Sequence, residues 1–326
     1  MRRFGPLLTV AAIVALTLIA LQVGATHIDS LWSAFLHPGS NEILWQIRIP
    51  RVAAALIVGA ALGIAGVLAQ GACNNALAEP AILGTAAGAS FGAVIGVLTG
   101  IVTVGSLGAI ACGALGALFA TSITFRLASL RGALSSFTLI IVGIAISAVF
   151  TSTVGIVSAM VTRADARSIS FWNFGSLALI TLENLIGISV TTVMGLVLAR
   201  RIASQLDRLT LGDSTAFHLG VNIHQTRWIA LAALSILAGG AVSTVGTIAF
   251  IGLAAPHIAR FIYGPAHKNL IHQSALIGAL LVLSSDTLAR TAVQPNELPI
   301  GLITSLLGAP VLVALVTVKN HVWKTQ

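Results

Sequence analysis

The 326 residues are 57% hydrophobic and only 8% charged, with a mean hydropathy of +1.01, which excludes a water-soluble globular fold because no polar shell could cover an apolar core of that size. The formal charge of +8 does not point to nucleic acid, because the 17 Lys and Arg lie almost entirely between apolar runs, the pattern of a membrane protein of fixed orientation. The chain has no Gly-x-x-x-x-Gly-Lys-Ser/Thr loop, no nucleophile elbow and no metal-ligand spacing of His, Cys, Asp and Glu, so no nucleotide is held by that route and neither cofactor nor metal is expected in it.

Taken in chain order, apolar runs of about twenty residues, the length that crosses a bilayer, predict an all-α polytopic membrane domain over 1–326. The first run, 5–24, follows Arg2 and Arg3 and lacks a clear small-residue cleavage site, so a retained helix is expected rather than a secretory signal. Arg48-Ile49-Pro50-Arg51 opens the second, 52–70, with Pro50 suited to a helix's first turn. The loop Asn74 to Pro80 is expected on the cytoplasmic side yet holds no basic residue, which suits a loop tucked beneath the helices. The third run, 81–100, carries Gly84, Gly88, Gly92, Gly96 and Gly100, a stripe along which backbones can approach closely.

Runs at 102–125, 137–160 and 177–199 follow, with Ser135 and Ser136 just before the fifth, where they either line a passage or cap the helix. The longest cytoplasmic connection, 200–227, contains Leu211 to Val221. Asp213 or Ser214 can start a short helix there and Gly220 can end it, with Ala216 and Leu219 on a shared face, giving either a handle for a partner or an interfacial helix. The run 228–246 repeats Gly59, Ala61, Gly66 and Ala69 of the second run as Gly239, Ala241, Gly246 and Ala249, an offset of 180 residues that suggests an inverted repeat or chance. The run 247–262 is short and broken by Pro256, before His257; 271–289 and 299–318 are clear. Asp286 and Arg290 are four apart and can pair along a helix, and Glu297 follows the turn. Cys73 and Cys112 read as inert thiols.

If 247–262 crosses, ten spans place both termini in the cytoplasm, with Arg2, Arg3, Arg126, Arg131, Arg200, Arg201, Arg208, Arg227, Arg260, Lys268, Lys319 and Lys324 inside. Only Arg48, Arg51, Arg163, Arg167 and Arg290 remain outside, whereas nine spans divide the charges nine against eight, so ten fit the positive-inside rule better. The outer arginines read equally as a site for an acidic partner and as side chains snorkelling to lipid headgroups.

These segments resemble, nearly end to end, the FecCD family, the permeases of ABC importers for iron-siderophores, haem and cobalamin. The resemblance is carried by Arg48-Ile49-Pro50-Arg51, Gly59-Ala60-Ala61-Leu62, Asn75-Ala76-Leu77-Ala78-Glu79-Pro80, Leu211-Gly212-Asp213, Pro256-His257-Ile258-Ala259-Arg260, Asp286-Thr287-Leu288-Ala289-Arg290 and Glu297-Leu298-Pro299-Ile300-Gly301, in that order. It implies a ten-helix type II ABC importer permease in the plasma membrane of a bacterium or archaeon, working as a dimer with a second copy or a paralogue.

By resemblance, Arg48, Arg51 and Arg290 receive carboxylates of an extracytoplasmic substrate-binding protein. Asn75 with Leu77, and Ser135 with Ser136, form two cytoplasmic gates. Leu211, Gly212, Asp213, Ala216, Leu219 and Gly220, within a coupling segment at about 205–225, dock into a separate ATPase subunit, which supplies ATP and Mg. The family usually has proline where this chain has Ala76, which suggests a looser gate hinge or another substrate. The rival readings are an ion-coupled secondary transporter, for which Asp286 is the best intramembrane candidate, and a non-transporting scaffold or receptor subunit.

Overall fold

The computed structural model describes residues 5–24, 33–34, 37, 41–130, 136–162, 169–170, 172–294 and 296–310. Among them the chain forms helices α1 (Gly5–Gln22), α2 (Ile49–Ala72), α3 (Thr85–Leu98), α4 (Leu107–Ser129), α5 (Ser136–Met160), α6 (Leu182–Leu209), α7 (Asp213–His218), α8 (Ile223–Val245), α9 (Ile251–Tyr263), α10 (His267–Thr291) and α11 (Ile300–Pro310), and no strand. Seven are long and apolar enough to cross a membrane, and α3 and α11 are shorter apolar helices. With α9 they fill the ten predicted positions, and α7 is the additional short helix between the sixth and seventh.

The boundaries follow local chemistry. A π-helical turn, Ile43–Arg48, runs straight into α2 and makes this element 30 residues, longer than the 52–70 expected, because Pro50 in the first turn needs no N–H partner. The third span is shorter than expected: a 3₁₀ turn, Pro80–Leu83, ends at Gly84, whose φ of +90° only glycine adopts readily, and α3 starts after it. Two stripe glycines, Gly84 and Gly100, therefore serve turns, while Gly88 and Gly92 press on the α4 backbone at Gly116 and Cys112. α6 starts in a capping box of Thr181 with Asn184 and runs ten residues past the expected end, carrying Arg200, Arg201 and Arg208 with it. α9 continues through Pro256.

α2 is buried along nearly its whole length and packs on α10, α8, α6 and α9. Gly59 and Gly63 bring its backbone against Gly278 and Ser274 of α10. The 180-residue counterpart behaves alike: Gly239 of α8 lies against Gly113 and Ala114 of α4. The correspondence ends at the third pair, for Gly66 lies within α2 on Gly252 whereas Gly246 terminates α8. α1 and α5 are lightly buried and expose Leu7, Val14, Phe137, Ile144 and Met160 to lipid or another chain.

Gly59→Leu drives a side chain into the Gly278 backbone and is expected to cost at least about 1–3 kcal/mol, read as a lower melting temperature in detergent. Gly155→Ala, which meets nothing within 4 Å, is the control expected to leave it unchanged.

Candidate functional site

Two clusters of polar side chains occupy the two ends of α2, separated by about 30 Å on the rise of a helix. At the first end, Arg51 extends both edges of its guanidinium to carboxylates. Nε donates to Asp286 Oδ1 and Oδ2 at 3.0 and 3.1 Å, Nη2 donates to Asp286 Oδ1 at 2.9 Å, and Nη1 donates to both oxygens of Glu297 at 2.8 and 3.0 Å. Such forked pairs are among the strongest in proteins.

The neighbouring arginines hold the end of α1. Arg48 Nη1 donates to the carbonyls of Leu21 and Gln22 at 2.6 and 2.8 Å, and Arg290 Nη2 donates to that of Ala20. Carbonyls in a helix's last turn lack intrahelical partners and carry its negative dipole end, so two guanidiniums satisfy both demands. The expected pair along α10, Asp286 with Arg290, exists at 3.8 Å, but the closer partner of Asp286 is Arg51, 235 residues away.

The structure brings together the three arginines that the charge rule assigns to the outer side and buries them, at 3, 6 and 7% exposure for Arg48, Arg51 and Arg290. The water-facing member is Glu297, whose side chain is 40% exposed.

At the other end the chain leaves α2 through Cys73, whose thiol burial pushes up to about 12, partly offset by the Arg227 guanidinium. Asn74 follows at φ +43°. Asn75 Oδ1 accepts the Leu77 N–H at 2.9 Å and the Asn75 carbonyl accepts that of Ala78 at 3.1 Å, a self-closed turn around Ala76. That turn is formed without the family proline. Leu77 is half-exposed.

Glu79, which the sequence reading left without a role, reaches the start of α9, where Oε1 accepts the N–H of Phe250 at 2.7 Å. Phe250 is held at φ +67°, and the acid just ahead of Pro80 was the one sequence signal for this tie. Burial raises the Glu79 carboxyl above its ordinary value, and the Phe250 N–H offsets part of that. Ser136 opens α5, half-buried; its expected companion Ser135 lies outside the described residues.

α7 sits beside this loop. It ends as expected at Gly220, in a Schellman turn with Val221 N–H to the Ala216 carbonyl and Gly220 N–H to that of Phe217, both 3.0 Å. Ala216 and Leu219 do not share an outward face: Ala216 is fully buried, and Leu219 is exposed beyond the last turn, because a six-residue helix is over before that face repeats. The outward large apolar side chains are Leu211, Leu219 and Phe217, the last missed in sequence because nothing there told an outward aromatic from a packed one. Gly212 holds φ +96° at the start, and Asp213 pairs with Arg227 of α8 at 2.9 and 3.0 Å.

The whole sequence between residues 8 and 318 matches the FecCD transport family. The chain belongs to that family. It is 37% identical to the haemin transport system permease of Yersinia pestis, over 92% of each chain, and 35% identical to the vitamin B12 import permease of Vibrio cholerae, over 96% of this chain and 93% of that one. An iron(3+)-hydroxamate import permease of Bacillus subtilis is 36% identical over 90% of this chain and 77% of its own. A solved metal-chelate type ABC transporter in an inward-facing conformation superposes with a TM-score of 0.83 at 29% identity, covering 95% of this chain and 97% of that one. As a FecCD protein the chain is a multi-pass membrane permease, with its polar clusters at the ends of the most buried helix.

Arg51→Leu leaves the buried Asp286 carboxylate to its longer, 3.8 Å pair with Arg290 and is expected to cost about 3 kcal/mol, while the double variant Arg51→Leu/Asp286→Leu recovers a large part; thermal unfolding of both in detergent checks this. For Glu79, the folded chain binds the proton more tightly than the unfolded one, so stability is highest at low pH and is lost as pH rises from the ordinary Glu range through the raised value. Glu79→Gln keeps an acceptor for Phe250 and is expected to remove that fall in unfolding curves taken from about pH 4 to about pH 8.

Proposed function

We propose that this chain is the membrane-spanning permease subunit of an ATP-driven importer that passes an iron chelate of the siderophore type from an extracytoplasmic binding protein into the cytoplasm. The observation that carries this is the length of α2: its Arg51 end and its Ala72 end, where α7 is braced, are about as far apart as the faces of a bilayer. A docking face and a coupling handle belong on opposite sides.

The handedness of the arrangement rests on charge. Ten spans put twelve basic residues, α7 and both termini in the cytoplasm, and leave Arg48, Arg51 and Arg290 outside. Energy comes from a separate ATPase that grips the exposed Leu211, Phe217 and Leu219, since this chain has no phosphate-binding loop of its own. On the outer side, a carboxylate of the binding protein reaches Arg51 by replacing Glu297, the exposed and exchangeable partner, while Asp286 stays in place. The two gates are the Asn75 to Leu77 turn and the pair Ser135 and Ser136. A second copy or a paralogue packs on the exposed faces of α5 and its neighbours, and the cargo moves between the two copies. The single domain is 1–326, with the coupling segment at about 205–225.

Cargo class follows from the relatives. Haemin, vitamin B12 and iron(3+)-hydroxamates are large metal chelates, and the solved relative is of metal-chelate type. The ion-coupled rival loses its best residue, because Asp286 is occupied by Arg51.

In proteoliposomes with the ATPase inside and the loaded binding protein outside, uptake is expected to require ATP, and mass spectrometry of the co-purified binding protein is expected to find a metal chelate. Uptake driven by an ion gradient without any ATPase would overturn the proposal.

A further inference from the structure

Arg227, in the second turn of α8, is buried at 3% exposure and is held from two directions. Nη1 and Nη2 grip both oxygens of Asp213, the first residue of α7, at 3.0 and 2.9 Å. Nε donates to the carbonyl of Ala72, the last residue of α2, at 2.9 Å. Ala72 stands three residues before Asn75, separated from it by Cys73 and the left-handed turn at Asn74. One planar group thus joins the short helix read as the coupling handle to the point where α2 gives way to the gate loop.

The chemistry of the joint suits transmission. A guanidinium holds its five N–H groups in one rigid plane, so shifting the carboxylate on one edge turns the donor on the other. Slipping free is expensive at this depth, because a buried donor or charge left unpaired costs more than the bond is worth when made. On the far side, the Ala72 carbonyl belongs to a helix end without intrahelical partners, and the loop beyond it is closed on itself by Asn75 rather than tied to α8. By contrast, another side-chain tie, from Arg208 Nη1 to the carbonyl of Leu219 at the end of α7 at 3.3 Å, is exposed and leads back to α6, the helix that precedes α7.

We infer that Arg227 is the positioning residue that transmits the displacement of α7 to the Asn75 to Leu77 turn, so that nucleotide-driven movement of the partner opens or closes the inner gate. The inference rests on reading α7 as the ATPase handle. Because Arg227 is a buried joint between α7 and α2 rather than an exposed docking residue, its loss is expected to separate hydrolysis from transport.

The test uses the complete complex in proteoliposomes, with Leu77→Cys added to a chain carrying Cys73→Ala and Cys112→Ala, and a membrane-impermeant maleimide presented to the inner face. With Arg227 present, the labelling rate at position 77 is expected to change on adding ATP. Arg227→Gln is expected to leave ATP hydrolysis nearly unchanged, abolish that nucleotide response and lower transport about tenfold.

Arg227→Lys discriminates between linkage and simple charge. An ammonium can keep Asp213 but cannot hold Ala72 in the same plane, so Lys is expected to behave as Gln does, and it carries the same test should the Gln variant fail to assemble. Full rescue by Lys, a preserved labelling response in either variant, or a proportionate fall of hydrolysis and transport overturns the inference.

Phe217→Glu tests the underlying reading separately. If it does not release the ATPase, α7 is not the handle. If it does release the ATPase while the Arg227 variants stay coupled, only the transmission role falls.

Discussion

An arginine that leaves water for an apolar bundle has to find its partners within the chain, and that demand ties the ends of the helices together here. Arg48 and Arg290 are spent on the terminal carbonyls of α1, Arg51 on two carboxylates from α10 and the turn after it, and Arg227 on a carboxylate of α7 and a carbonyl of α2. In each case a planar donor set joins elements far apart in sequence. At Arg51 and Arg227, whose bonds leave from different edges of the guanidinium, lysine, a single point of charge, could satisfy one partner but not both.

Between those ends the bundle is held by contact rather than by polarity. The crossings of α2 with α10 and of α8 with α4 both run through glycine, where backbone meets backbone and dispersion replaces the hydrophobic effect that lipid cannot supply. Their likeness gives the faint 180-residue echo a physical meaning along part of its length: Gly59 and Gly239 do the same work. Gly66 and Gly246 do not, since one sits inside a helix and the other ends one.

Composition and charge made the helical membrane class and the number of elements legible, because the bilayer sets one length scale and apolar runs of that length are visible one by one. Local punctuation was legible too: Pro50 at a helix start, Gly220 at a helix end, and Gly84 only in retrospect, because a glycine in a packing stripe and a glycine in a turn look alike. Partners were not legible. The Asp286 to Arg290 spacing suggested a pair along one helix, whereas the stronger bonds run to Arg51 across 235 residues, and no periodicity encodes a contact between helices. For the same reason the burial of all three outer arginines, the tie from Glu79 to Phe250 and the outward turn of Phe217 came only from the folded chain.

The turn at Asn75 shows what a self-closed loop allows. Its internal bonds, from the Leu77 and Ala78 amides, run only to its own residues, while the anchors lie outside it, at the Gln70 carbonyl behind and at Glu79 ahead. The segment can therefore tilt as one piece, like a flap on two pins, with its own hydrogen bonds intact throughout the swing.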